Sequence, residues 1–149
     1  MTGWKPREDA DERPEKVCDE ILALLEIQNR FQANHFNSVL QPLLWKYTEA
    51  DGSKYSLRWR SAGAMTADRS DLRHEHVVTR KELTSALIAG PVTIEAVRRT
   101  MSDAVACLVT KREHDQLSEV ARELRGWARY EAAGIECRDL GAQVGPEGS

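Results

Sequence analysis

Cysteine is scarce in this chain and falls in no metal-binding pattern. Cys18, Cys107 and Cys137 are the only three in 149 residues. They lie far apart and without a CxxC spacing, which argues against both a disulfide framework and a zinc ribbon. They read as reduced residues of a cytoplasmic protein, and Cys18 and Cys107 sit in apolar runs. Long hydrophobic runs are missing too, since no window approaches the ~20 apolar residues of a membrane span. The opening residues, MTGWKPREDADERPE, lack the apolar stretch of a secretory signal. A soluble cytoplasmic protein without membrane contact is therefore expected. No G-x-x-x-x-G-K-[ST], G-x-G-x-x-G, G-x-S-x-G or H-E-x-x-H occurs, so phosphate-loop, dinucleotide, serine-hydrolase and zincin chemistry have no support. A large charge of one sign is also lacking. The net charge is −3, with a basic middle third, rich in arginine, between two acidic outer thirds.

Hydrophobic residues make up 41% and charged residues 30% of the chain, enough to bury a core without staples. The expected organisation is a mobile acidic tail over residues 1–13, a single α+β domain over 14–140 and a disordered tail over 141–149. Helical periodicity begins after Pro14, placed as a first-turn proline. Val17, Ile21, Leu24, Leu25 and Phe31 share one face, and Phe36, Val39, Leu40, Leu43, Leu44 and Tyr47 continue it past a polar interruption at Asn34, His35 and Asn37. One kinked helix or two in sequence satisfies the pattern, with Pro42 inside it. His35 reads as a surface or capping group.

Beyond the turn at Asp51-Gly52, Tyr55, Leu57 and Trp59 alternate with Ser56, Arg58 and Arg60, the period of a strand with one apolar and one cationic face. Trp59 and Trp127 are expected to be largely buried. Two further strands are expected over Arg73 to Val78 and Val105 to Val109, and a last one over Ile135 to Cys137. Thr79 with Glu82, and Thr110 with Glu113, read as capping boxes that open helices directly after the second and third strands. Thr93 caps another helix, and Gly90 and Gly134 close helices. The helix from Lys111 should turn Leu117, Val120, Ala121 and Leu124 inward. The fold class is therefore α+β: a long N-terminal helical element packed on a small β-sheet, with capped helices following two strands.

The densest chemistry lies in Arg73 to Leu87, RHEHVVTRKELTSAL. In an extended segment His74 and His76 share one face and Glu75 takes the other. Such imidazoles can hold a metal or act as a general base, or be satisfied members of a half-buried strand. Glu75-His76-Val77-Val78 resembles the first strand of the HNH, or ββα-metal, nuclease motif. The resemblance implies a general base at His76, a divalent metal (Mg²⁺ or Mn²⁺) held by Glu75, and a later helical histidine. Thr79 stands where the family commonly has proline. His114, in Glu113-His114-Asp115, matches the helical histidine only if a whole helix, Thr93 to Ala104, is inserted into the motif.

Two readings follow. In the first, the chain is a metal-dependent nuclease-like or nucleic-acid-binding protein. His76 is its base, Glu75, His74, His114 and Asp115 are the candidate metal ligands, and Arg58, Arg60, Arg73 and Arg80 are the candidate phosphate contacts. In the second it is a non-enzymatic regulator, inhibitor or assembly subunit. Its N-terminal apolar stripe (Ile21, Leu25, Phe36, Leu40, Leu44) then serves for a homodimer or a protein partner.

Overall fold

The structure is a computed structural model that describes residues 8–49, 57–120 and 123–141. It is an α+β fold, as the periodicity implies. The chain divides into two compact units: one holds residues 8–49 and 78–105, the other 57–77, 106–120 and 123–141. Of the tails expected over 1–13 and 141–149, residues 1–7 and 142–149 lie outside the described residues, as do Tyr55 and Ser56 of the first expected strand. Residues 8–12 form turns that lead into the first helix, where Arg13 N donates to Asp9 O at 2.8 Å.

The first unit is helical: α1 (Arg13–Glu26), α2 (Ala33–Thr48), α3 (Arg80–Ala89) and α4 (Ile94–Met101). Pro14 sits in the first turn of α1, and a 3-10 turn at Gln28–Arg30 separates α1 from α2, so two helices carry the long stripe. Pro42 is held inside α2. The ~3 kcal/mol that an interior proline costs is offset by packing on both sides of it, where Leu40 and Leu44 are fully buried. Ile21, Leu25, Phe36, Leu40 and Leu44 pack with Leu83, Leu87, Val97 and Met101 in one core. This corrects the stripe's proposed use as a partner surface, because none of its five residues is more than 4% exposed and the protein's own core consumes it. Thr79 Oγ1 accepts from Glu82 N, and Thr93 Oγ1 from Ala96 N, each at 3.2 Å, so both helices start where their caps direct. His35 is exposed at the start of α2.

The second unit is a four-stranded mixed sheet: β1 (Trp59–Ser61), β2 (Leu72–His76), β3 (Ala106–Thr110) and β4 (Cys137–Asp139), in the order β2-β3-β1-β4. β2 and β4 run antiparallel to their neighbours, and β1 runs parallel to β3. α5 (Lys111–Ser118) follows β3, and α6 (Trp127–Ala132) precedes the turn at Gly134, whose φ of 72° needs a residue without Cβ.

Several boundaries differ from expectation. β1 starts at Trp59 rather than Tyr55, which leaves Arg58 in the bend before it. Arg58 and Arg60 therefore do not project together from one strand. β2 stops at His76, and β4 begins where the expected last strand ends. α5 ends at Ser118, two turns long, so Leu124 is 37% exposed instead of buried. Trp127 is likewise 38% exposed and packs, tilted by 45°, against the half-buried Trp59 at a ring separation of 4.8 Å. These strands are short, and cross-strand partners rather than local propensity set their ends.

β2 pairs with β3 one residue for one residue, from Leu72 opposite Thr110 to His76 opposite Ala106, without a bulge. Leu72, His74 and His76 therefore share a face with Leu108, and Arg73 and Glu75 share the other with Val109 and Cys107. The His74 and His76 rings lie 5.3 Å apart, as two residues on one face should.

Leu108 is fully buried among Leu57, Ala64, Leu72 and Ala106. Leu108→Ala is expected to cost ~2–5 kcal/mol, whereas Trp127→Ala should cost only ~1 kcal/mol, the worth of its ring pair. Urea melts of the two variants measure this. Equal losses would show that the burial of the two faces is misassigned.

Candidate functional site

The site begins with how α5 is started. Thr110 Oγ1 accepts from Glu113 N at 3.1 Å, and Glu113 Oε1 accepts from Thr110 N at 2.8 Å, closing a reciprocal capping box. Ser61 Oγ at the end of β1 donates to the same Glu113 oxygen at 2.5 Å and accepts from Ala64 N at 3.0 Å. A Cβ on Gly63 would sit 3.0 Å from Glu113 Oε2, so a larger residue there would press the carboxylate aside by a few tenths of an ångström. Glu113 thus ties the first turn of α5 to β1 and β3. The next residue, His114, is directed at β2.

There it meets Glu75. His114 Nδ1 lies 2.7 Å from Glu75 Oε2, and Arg129 Nη2, from α6, lies 3.1 Å from Glu75 Oε1. The same Nη2 donates to the main-chain oxygens of His76 at 3.1 Å and Val77 at 3.4 Å. The Glu75 and Arg129 side chains are 13% and 14% exposed, and His114 is 45% exposed. A carboxylate on Nδ1 favours the tautomer with the proton on that nitrogen and leaves Nε2 as an acceptor. The arrangement can therefore take up and return a proton, with a carboxylate to stabilise the imidazolium in between.

Two residues named from the sequence, Glu75 and His114, come together; the other candidates do not join them. His76 is 5% exposed and lies on the face of β2 opposite Glu75. His74 shares that opposite face, half-buried. Asp115 is exposed. Arg58 is bound through two nitrogens to the Asp139 carboxylate, at 2.6 and 2.8 Å. Arg60 is half-buried. Arg73 Nη1 donates to Ser70 O and Leu72 O, both at 2.9 Å, on the Glu75 side of the sheet. Arg80 belongs to the helical unit, its guanidinium 4.8 Å from the centre of the Trp45 ring. Arg129 was not anticipated. In sequence it is one arginine between two aromatics of a short helix, and only the tertiary fold gives it a partner.

The Mg²⁺ or Mn²⁺ that the resemblance implies does not fit the donor set as it stands. Both oxygens of Glu75 are taken, one of them by a fixed cation. Among the described residues no three of His, Cys, Asp and Glu form a group that could hold a metal. No protein-family model matches the chain, and no curated protein or solved structure does so either. Among the described residues no helix is long and apolar enough to cross a membrane.

Three groups beside or below these elements resist ionisation. Cys18 is buried in the helical core, and burial, with nearby Glu15, pushes its thiol from 9.0 to about 11. Cys107 donates to Cys137 Sγ at 3.4 Å, and that bond together with burial drives its pKa strongly upward. Burial does the same to the Tyr130 hydroxyl. Each folded-state pKa is raised, so the native state keeps protons that the unfolded chain gives up. Stability is then intact below pH 9 and falls as pH rises past it. Cys18 alone should account for ~2 kcal/mol of loss by the time its folded pKa is reached. Urea midpoints are expected to drop between pH 8 and pH 10.5, with a shallower drop in Cys18→Ala. A flat profile would overturn the burial of these groups.

Proposed function

We propose that this chain hydrolyses or transesterifies nucleic-acid phosphodiesters, with the Glu75/His114 pair as its proton-handling group. The observation that carries the proposal is the 2.7 Å contact between two residues far apart in sequence. They are the acid and the helical histidine that the nuclease resemblance picks out. The order of elements supports the same reading: β2, then antiparallel β3, then the helix with the histidine, with α3 and α4 inserted in sequence between the two strands. The three cysteines are free thiols, in keeping with a reducing, cytoplasmic setting.

In this mechanism His114 Nε2 takes the proton from an attacking water or ribose hydroxyl as the new P–O bond forms. Glu75 holds the Nδ1 proton and stabilises the imidazolium. The imidazolium then returns its proton to the leaving oxygen as the old P–O bond breaks. Arg73 on the same face of the sheet, and Lys111 and Arg112 exposed in the first turn of α5, supply positive charge for the phosphates. The role first assigned to His76 passes to His114, because His76 is buried on the other face of the strand.

The test is hydrolysis of single-stranded DNA, plasmid and RNA, with Mg²⁺, with Mn²⁺ and in chelator. His114→Ala and Glu75→Gln should each lose roughly 10²–10⁴-fold of the rate. His76→Ala should lower the melting temperature and keep the rate per folded molecule. Wild-type activity that survives His114→Ala would remove the Glu75/His114 pair from the chemistry, and no activity on any substrate would end the proposal.

A further inference from the structure

Arg129 Nη2 carries two hydrogens, yet three oxygens converge on it: Glu75 Oε1 and His76 O at 3.1 Å, and Val77 O at 3.4 Å. That is more acceptor than one nitrogen can serve with two linear hydrogen bonds. One carboxylate oxygen and two main-chain carbonyls grouped around a point are instead a partial shell for a hard cation such as Ca²⁺, Mg²⁺ or Mn²⁺. His114 lies on the other oxygen of the same carboxylate. The guanidinium at the centre of this shell is permanently charged and nearly buried, with 14% of the side chain exposed. Its Nε is buried and makes no hydrogen bond among the described residues, and the guanidinium carbon lies 5.8 Å from the centre of the Tyr130 ring.

We infer that Arg129 is the resident cation of this site, filling an oxygen cradle made by Glu75, His76 and Val77. The site therefore works without a divalent metal, and removing the guanidinium uncovers a place for one. Two facts favour this over a site that loads metal beside Arg129. A divalent ion on Glu75 Oε1 would stand within a few ångströms of the guanidinium charge, in surroundings with little water to screen the repulsion. And Glu75 is the sole carboxylate at the cradle among the described residues, so it cannot neutralise three positive charges. Arg129 acts through Glu75 as a positioning residue. It fixes the carboxylate that orients His114, while His114 is the group that would meet substrate.

This inference concerns the same site as the proposed hydrolysis, but its readout is metal binding, so the two can fail separately. Calorimetry on the full chain with Mn²⁺ and with Ca²⁺ should show no stoichiometric binding to the wild type. Arg129→Met, which keeps the length of the stem, should bind one equivalent, roughly tenfold or more tighter than any wild-type signal. Glu75→Gln added to Arg129→Met should abolish that binding. Arg129→Lys, which restores the charge, should behave as the wild type. A thermal melt of each variant establishes that it is folded, and Arg129→Gln replaces Arg129→Met if the latter is not. Stoichiometric wild-type binding that Glu75→Gln removes would overturn the inference. So would a folded Arg129→Met or Arg129→Gln that binds metal no better than the wild type. Any hydrolysis by the wild type should persist in chelator, and its loss there would also count against Arg129 as the working cation.

Discussion

The unbroken register of β2 on β3 decides what every polar side chain of the sheet unit can do. With Leu72 opposite Thr110 and His76 opposite Ala106, no bulge intervenes to bring two neighbouring residues to one side. Glu75 must then face the side where α5 and α6 deliver His114 and Arg129, and His76 must face away. A single inserted residue between them would exchange these assignments. The chemistry of the site is thus a property of strand pairing before it is a property of any side chain.

What the register allows, the start of α5 makes use of. A helix two turns long has little stability of its own, and here its first turn is held by Thr110, Glu113 and Ser61 acting together. The residue after Glu113 inherits that rigidity, which matters because an imidazole can serve as a base only if its partner fixes the tautomer and the direction of the free nitrogen. Glu75 in turn is a nearly buried carboxylate, and its removal from water is compensated by an imidazole on one oxygen and a guanidinium on the other. Such groups are costly to bury alone and tolerable as a set. The same set that stabilises the carboxylate also fixes its direction.

The sequence made some of this legible and hid the rest for physical reasons. Local signals read correctly: the three capping threonines, the first-turn proline, the glycine with positive φ at 134 and the alternation that separated Glu75 from His76. Each depends on a few adjacent residues. Strand limits were off by one to four residues because three- and five-residue strands take their ends from partners. Leu124 and Trp127 were placed inside on a periodicity that stops when α5 ends at Ser118. Arg58 looked like a phosphate contact until its carboxylate, Asp139, came in from the far end of the chain. Glu113 was read correctly as structural, while His114 beside it carried more than the sequence could show. The pairing of His114 with Glu75, and Arg129 with both Glu75 and the end of β2, arises only after the sheet is closed.

The insertion of α3 and α4 between β2 and β3 also bears on how the chain reaches this state. Most antiparallel neighbours are joined by a short turn, and their pairing is local. Here β2 must wait for a partner that emerges only after two further helices, and the helical unit is completed by the same intervening segment. Neither unit is a continuous stretch of chain, so neither can finish folding until synthesis has passed the boundary of the other. Helices form quickly from local contacts and distant strands pair late. The carboxylate and the imidazole therefore cannot meet before the chain has passed through α3, α4 and β3 into α5.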